Sequence, residues 1–177
     1  MRMKTSRIYV RPLQVADASY ILKSSKDQEI RYMTGTTAHF SLDVIEQHIQ
    51  AITKDDSRED YAICLNETDE VIGELSILDI DEDDESAGFR ISMTSIEHTG
   101  KGLGYEALRL MISYVFEELK LNRLQLEVFS HNKRGIRAYE KVGFVKEGTL
   151  RQTRKYEDHF FDEVIMSILK QDYVNRQ

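Results

Sequence analysis

The sequence predicts an α/β fold: one domain over residues 1–177, with a mixed, mostly antiparallel sheet flanked by helices. The length is that of one ordinary domain, which buries its own core without a metal or a crosslink. Strand-like and helix-like apolar patterns alternate along the chain, which is typical of this class. Between residues 87 and 129 a strand, a glycine-rich loop, a helix and a second strand follow one another. This order predicts a parallel strand pair joined by a helical crossover.

The first part of the chain predicts one strand and two helices. "RIYVRPL" (residues 7–13) alternates apolar and polar residues and therefore predicts a strand. A short helix is expected to begin at Asp17, a capping-type residue. A second helix is expected after Ser41, which is a good N-cap, with Phe40 placed to pack on Ile45 one turn into the helix.

A hairpin is predicted next. "DYAICLNE" (60–67) and "EVIGELSILDI" (70–80) are strand-like runs separated by a polar turn, and such a pattern favours antiparallel pairing. Cys64, the only cysteine, lies in the alternating part of the first run. It cannot form an internal disulfide, and we expect it to be a small buried hydrophobic residue.

The crossover unit follows. "AGFRISM" (87–93) and "RLQLEVF" (123–129) predict its two strands. Between them, apolar residues recur at the spacing of one face of an α-helix, so this stripe is expected to face the core. Its members are Leu108, Met111, Ile112, Val115, Phe116 and Leu119.

The end of the chain predicts a helix and two closing strands. The helix is expected over residues 132–142, where Gly143 is a suitable residue to end it. "FVKEGTLRQTR" (144–154) and "FFDEVIMSIL" (160–169) predict the strands. Because these strands are rich in apolar residues, a homodimer is a possible assembly.

Charge and composition limit the function classes. The 31 acidic and 24 basic residues give a net charge of −7, which argues against a broad nucleic-acid surface and favours a cationic partner. No apolar stretch approaches the ~20 residues of a membrane span, and the N-terminus lacks the apolar core of a signal peptide. These features predict a cytoplasmic protein that has no membrane partner. The five histidines show no metal-ligand spacing, so no metal site is predicted.

An acidic run, "DIDEDDES" at residues 79–86, contains six carboxylates. Such a run is usually a solvated loop, but it could also form a lip that attracts a cationic substrate. It lacks the spacing and the glycine of a calcium loop.

A glycine cluster, "HTGKGLGYEAL" at residues 98–108, precedes the crossover helix. Glycines before a helix N-terminus expose several backbone N–H groups at the positive end of the helix dipole, which favours a phosphate site. Gly100, Gly102 and Gly104 are spaced two apart, and this spacing fits neither the dinucleotide nor the Walker pattern. A purely structural turn is the alternative interpretation.

Two motifs together resemble a known family. "TGKGLGYEAL", followed after one helix and one strand by "NKRGIRAYEKVGFVKEG", resembles the acyl-CoA-binding core of the GNAT superfamily of N-acetyltransferases. "VRPLQVADA", "EIRYM" and "FFDEVIMSIL" resemble the branch that contains ribosomal-protein N-terminal acetyltransferases and spermidine acetyltransferases. The resemblance covers nearly the whole chain. It implies acetyl transfer from acetyl-CoA to a primary amine, on either a polyamine or a peptide or protein N-terminus.

The resemblance also implies a cofactor site. The pantetheine arm would lie where the two parallel strands splay apart, bonded to backbone near Met93 and Thr94. Asn132 would contact this arm, although its position is equally that of an ordinary helix N-cap. Lys101 would add charge at the rim of the pyrophosphate site. The backbone amides that would bind the pyrophosphate are those of Thr99, Gly100, Lys101, Gly102, Leu103, Gly104 and Tyr105.

The chemistry requires a polarised carbonyl and a proton for the leaving thiolate. A backbone amide near Met93 or Thr94 is the expected donor to the carbonyl oxygen. Tyr139 occupies the tyrosine position of the second motif, where the resemblance implies a general acid beside the sulfur. Without the motif, Tyr139 would be interpreted as an amphipathic core residue.

The general base departs from the family pattern, because Gly88 stands where many relatives have a glutamate. Glu74 is the candidate substitute, provided that the strand register turns it toward the same groove. A chain of ordered water without a dedicated base is an alternative, and His131 is a third candidate. A second departure is Thr99, which stands where the loop motif has Gln or Arg.

Two functions from different classes therefore remain. The first is an acetyl-CoA-dependent N-acetyltransferase, which Tyr139 supports. The alternative is a catalytically inactive CoA-binding sensor or regulatory module, which Gly88 and Thr99 support. The sequence does not identify the acceptor amine, because that choice depends on side chains of the first helices and the closing strands, which vary on a shared frame.

Overall fold

Eight strands form one sheet in the order β1-β2-β3-β4-β5-β6-β8-β7 in the computed structural model, which describes residues 3–176. The strands are β1 (Met3–Lys4), β2 (Ile8–Pro12), β3 (Glu59–Leu65), β4 (Val71–Asp81), β5 (Ser86–Met93), β6 (Arg123–Phe129), β7 (Val145–Tyr156) and β8 (His159–Leu169). The helices are α1 (Ala18–Ser24), α2 (Gln28–Thr34), α3 (Leu42–Ile52), α4 (Leu103–Glu117), α5 (Lys133–Val142) and α6 (Lys170–Val174).

One strand pair is parallel and the others are antiparallel. β5 and β6 pair only from Ser86 opposite Arg123 to Gly88 opposite Gln125, and beyond this point the two strands separate. The predicted mixed sheet, with its splayed parallel pair and flanking helices, is therefore confirmed. The predicted hairpin is confirmed as well, because β3 and β4 pair antiparallel.

The core has one layer on each face of the sheet. On one face the apolar stripe of α4 packs on the strands, and Met111 and Val115 are fully buried there. On the other face Ile49 of α3 and Cys64 of β3 belong to a second buried cluster. Complete burial of such a side chain stabilises the fold by roughly 1.5–3 kcal/mol, so the two layers hold the helices against the sheet.

Among the strands and α-helices of the described residues, three short ones were not predicted: β1, α2 and α6. α2 matters most, because it lies over the functional site described below. Asp27 caps α2, its carboxylate accepting from the amides of Glu29 and Ile30 at 3.0 Å, and Gly35 ends it with a φ of +68°. Only Ile30 of its seven residues is buried, so the helix has no apolar stripe that a periodicity search could detect.

The two predicted caps have different outcomes. Ser41 caps α3, its hydroxyl accepting from the amide of Val44 at 3.4 Å, as predicted. Asp17 does not cap α1. Its buried carboxylate instead accepts two hydrogen bonds from Arg11, both at 2.7 Å, and one from the amide of Gln14 at 2.9 Å. The guanidinium is a stronger partner than a helical amide, since both groups are charged and the geometry is bidentate.

None of the helices in the described part of the chain is long and apolar enough to cross a membrane.

Candidate active site

The glycine loop adopts the geometry of an anion site. Gly100 and Gly102 have φ values of +71° and +82°, in the left-handed region that favours glycine. The first helical hydrogen bond of α4 runs from the amide of Glu106 to the carbonyl of Gly102, at 3.0 Å. Within residues 3–176, no protein acceptor binds the amide N–H groups of residues 100–105. These free donors lie at the N-terminus of a 15-residue helix, where an anion is stabilised.

A cavity of about 260 Å³, here called the donor cavity, opens beside this loop. It is lined by the splayed part of β5, the glycine loop, and residues of α2 and α5. Three of the predicted site residues do not line it: Thr94 and Leu103, which are buried, and Lys101, which is exposed. The predicted site residues that do line it are Met93, Thr99, Gly100, Gly102, Gly104, Tyr105, Asn132 and Tyr139.

The hydrogen bonds of β5 distinguish the two backbone amides, of Met93 and Thr94, that are expected to donate to the acetyl carbonyl oxygen. The amide of Thr94 donates to the carbonyl of Ile72 at 2.9 Å, so it is already bonded. This bond makes Met93 and Gly73 a non-hydrogen-bonded pair of the β4–β5 ladder. The amide of Met93 therefore points to the opposite edge, into the gap where β6 has separated from β5.

Asn132 begins α5 and serves as its N-cap. Its Oδ1 accepts from the amide of Gly135 at 2.9 Å. A Cβ at Gly135 would lie 2.8 Å from Nδ2 of Asn132, so a glycine is needed for this close approach. Asn132 also lines the donor cavity, so the capping role is compatible with a ligand contact.

Tyr139 lies on α5 with its ring against Phe144, the two ring centroids being 5.8 Å apart. Burial raises the pKa of its hydroxyl to about 12. Burial is the only cause of this shift, and no hydrogen bond from another described residue contributes to it. The hydroxyl is therefore protonated at neutral pH and available to a ligand.

A larger cavity of about 610 Å³, here called the acceptor cavity, lies between the sheet and helices α1–α3. Its lining includes the carboxylates of Asp60, Glu74, Glu127 and Glu163. The two cavities meet, because several residues line both of them. These shared residues are Ile30, Met33, Thr34, Ile91, Ser92, Asn132 and Tyr139.

Glu74 faces the acceptor cavity. The β4–β5 register places it opposite Ser92, on the side of the sheet that this cavity covers. Burial raises the pKa of its carboxyl, and the guanidinium of Arg90, 4.0 Å away, opposes this rise. A carboxylate with a raised pKa is a better proton acceptor than an ordinary glutamate.

Replacing Glu74 with glutamine is expected to raise Tm at neutral pH. Because the pKa of Glu74 is raised in the folded protein, the folded state holds this proton more tightly than the unfolded state. Ionised Glu74 therefore destabilises the fold above its folded pKa and has no such effect below the ordinary pKa of about 4.3. Thermal unfolding at neutral and at acid pH tests this, and an equal gain at both would mean that packing, not charge, explains it.

The other two candidate positions for a base do not line either cavity. Gly88 is the last residue of β5 that pairs with β6. His131 packs between aromatic rings, 4.3 Å from the ring centroids of Tyr32 and Phe161. Its Nε2 lies 3.0 Å from the carbonyl oxygen of Tyr32, and its Nδ1 is buried without a partner within residues 3–176.

The acidic run does not form a lip around either cavity. Residues 79–85 end β4 and form the turn before β5, at the opposite end of β5 from Met93. None of them lines a cavity. The carboxylates that line the acceptor cavity come from β3, β4, β6 and β8, and are far apart in sequence.

Sequence reasoning missed the contribution of α2. Ile30, Met33 and Thr34 line both cavities, directly where the cavities meet. Thr99, the departure in the loop motif, donates both its amide, at 3.0 Å, and its hydroxyl, at 2.6 Å, to the carbonyl of Ile96. Its amide, unlike those of residues 100–105, is therefore not free to bind a phosphate as the sequence predicts. In residues 3–176, no group of three or more His, Cys, Asp or Glu side chains could hold a metal ion.

Comparisons with known proteins agree with this geometry. A family model described as an acetyltransferase (GNAT) domain matches residues 7–145. The probable N-acetyltransferase YjcK of Bacillus subtilis is 31% identical over 178 residues, covering 96% of this chain and 98% of that protein. Spermidine N(1)-acetyltransferase of Escherichia coli K12 is 26% identical over 168 residues, covering 94% and 88%.

A solved structure is similar over nearly the whole fold. The spermidine N-acetyltransferase from Vibrio cholerae, in complex with CoA and spermine, has a TM-score of 0.88 and 25% sequence identity, covering 97% of this chain and 100% of that one. The fold, the family match and the relatives all agree. The chain therefore belongs to the GNAT acetyltransferase family and is an N-acetyltransferase that uses acetyl-CoA.

Proposed function

We propose that this N-acetyltransferase acetylates a primary amine of a polyamine, which binds in the acceptor cavity. One observation carries the proposal: a cavity beside free backbone amides meets a carboxylate-lined cavity at a buried tyrosine. The cavity beside the free amides suits a phosphorylated thioester, and the carboxylate-lined cavity suits a cation.

The donor cavity would hold the pantetheine arm of CoA. The free amides of residues 100–105 would bind the pyrophosphate, and a phosphate can approach Gly100 closely because a Cβ there would meet no atom within 4 Å. Lys101 would add positive charge at the rim. The pantetheine arm would bond to the open edge of β5 near Met93 and pass Asn132. Acetyl-CoA supplies the activated acetyl thioester.

Three groups would perform the chemistry. The amide of Met93, which points into the gap, would donate to the carbonyl oxygen as negative charge develops on it. Glu74 would accept a proton from the attacking ammonium group, directly or through water, since only the neutral amine is a nucleophile. As the C–N bond forms and the C–S bond breaks, Tyr139 would donate its proton to the departing sulfur, and the second proton lost by the nitrogen would restore the Tyr139 hydroxyl through water.

Four carboxylates and three arginines, Arg31, Arg90 and Arg154, line the acceptor cavity, so a second ammonium group needs a carboxylate that has no cationic partner. Asp60 is held by Arg58 at 2.7 Å and by the hydroxyl of Ser76 at 2.6 Å. Glu127 is exposed and has no ion pair within the described residues, so its carboxylate is available to a second ammonium. The spermidine acetyltransferases among the relatives support the same substrate class.

A panel of amines tests the proposal. Thiol release from acetyl-CoA is measured with spermidine, spermine, short peptides beginning with Ala or Ser, and an aminoglycoside, at two ionic strengths. Turnover is expected with the polyamines, and added salt should raise their KM more than that of a peptide, because screening weakens attraction between charges. Turnover confined to peptides would identify an N-terminal acetyltransferase. Binding of acetyl-CoA without turnover of either polyamine would overturn the proposal.

A variant pair sharpens this test. Glu127→Gln should raise KM for spermidine and leave KM for a monoamine unchanged. Glu118→Gln is the matched control, since this exposed residue at the end of α4 lines neither cavity. Equal effects of both variants would show that net charge, not a local contact, attracts the polyamine.

A further inference from the structure

Arg7, in the turn between β1 and β2, contacts the glycine loop from outside both cavities. Its Nη1 donates to the carbonyl oxygen of Lys101 at 3.0 Å. Its Nε donates to Oε1 of Glu106 at 2.6 Å, and its Nη2 lies 2.5 Å from the same oxygen. One planar guanidinium therefore binds the loop and the first turn of α4 together.

The contact with Lys101 fixes the direction of an amide in the loop. The carbonyl of Lys101 and the N–H of Gly102 belong to one planar trans peptide, so they point in opposite directions. Because Arg7 holds the carbonyl on its own side, the N–H of Gly102 is turned away from Arg7. Gly102, which has a φ of +82°, forms one end of this peptide, and a glycine gives little resistance to its rotation. The guanidinium supplies a restraint that the loop backbone does not.

The contact with Glu106 compensates a negative charge near the anion site. This carboxylate is in the first turn of α4, close to the free amides that form the anion site. A negative charge there competes with a bound phosphate for the positive end of the helix. Arg7 and the hydroxyl of Thr5, which donates to Oε2 at 2.5 Å, hold the carboxylate on their side of the helix and compensate its charge.

We propose that Arg7 is a positioning residue for the pyrophosphate of CoA. It orients the amide of Gly102 and neutralises Glu106, and both effects favour the bound anion. The proposal rests on the glycine loop as the pyrophosphate site, and it is independent of which amine is the acceptor.

Arg7→Met tests this by calorimetric titration with CoA, which needs no acceptor. We expect affinity to fall about tenfold, the effect of losing roughly one charge-assisted hydrogen bond. Since the chemistry is untouched, kcat at saturating acetyl-CoA should not change. With S-acetylpantetheine, a donor that lacks the pyrophosphate, KM should also stay the same. Arg109→Met is the matched control: it removes the same charge from an exposed position on α4 and should leave CoA affinity unchanged.

Arg7→Lys separates charge from geometry. Lysine keeps the positive charge but cannot bond the carbonyl of Lys101 and the carboxylate of Glu106 as a planar fork. We expect it to lose CoA affinity nearly as much as Arg7→Met. Full affinity in Arg7→Lys would overturn the orienting role, and full affinity in Arg7→Met would overturn the whole proposal. An equal rise of KM for acetyl-CoA and for S-acetylpantetheine would also overturn it, because it would indicate general damage to the site.

Discussion

Replacing Gly102 with valine is expected to abolish measurable acetyl-CoA binding in a protein that still folds. Gly102 has a φ of +82°, which a β-branched residue strongly resists. A Cβ there would also lie 3.2 Å from Nη2 of Arg7. The loop must then change conformation, and its amides no longer point to one place. Backbone strain of ~1–3 kcal/mol is small beside a typical unfolding free energy of ~5–15 kcal/mol, so the fold is retained.

Calorimetric titration with acetyl-CoA measures this loss, and circular dichroism confirms folding. Gly148→Val is the matched control: Gly148 lies on β7 without a positive φ, and a Cβ there would meet no atom within 4 Å. Gly100→Ala measures the effect of the backbone conformation without a steric clash. Gly100 has a φ of +71°, and a Cβ there would meet no atom within 4 Å. Undiminished affinity in folded Gly102→Val would mean that the glycines only form a turn.

Tyr139→Phe is expected to lower kcat about a hundredfold, the lower end of the effect of losing a positioned proton donor. Affinity for acetyl-CoA should change little, because the phenylalanine ring still packs against Phe144. Steady-state kinetics with the best amine of the panel gives both values. Since burial raises the pKa of Tyr139 to about 12, its ionisation should cause no loss of wild-type activity up to about pH 10.

Tyr20→Phe is the matched control for this experiment. Tyr20 is an exposed residue of α1 that lines neither cavity, so loss of its hydroxyl should leave kcat unchanged. Near-full turnover in Tyr139→Phe would remove Tyr139 from the mechanism, and the thiolate would then be protonated by water.

The general base illustrates how far sequence reasoning extends. The sequence identifies Gly88 as a departure from the family pattern and Glu74 as a substitute, but only under a favourable strand register. A shift of one residue would turn Glu74 to the other face of the sheet. The pairing of Glu74 with Ser92 depends on the register of the β4–β5 ladder from Gly73 to Leu78, which no local pattern specifies.

The sequence by itself determined the fold class, the parallel pair with its crossover, the stripe of α4 and the glycine loop. These features depend on local periodicity and local backbone freedom, which a stretch of the chain carries within itself. The paired motifs likewise indicated the family.

Only the tertiary structure decided which of these residues meet. It directed the amide of Met93 rather than that of Thr94 into the gap, because ladder bonds alternate between the two edges of a strand. It placed the short helix α2, which lacks an apolar stripe, over the junction of the two cavities, and it gathered the cavity carboxylates from four strands. Such contacts join residues distant in sequence, and they form only when the whole sheet and its helices pack together.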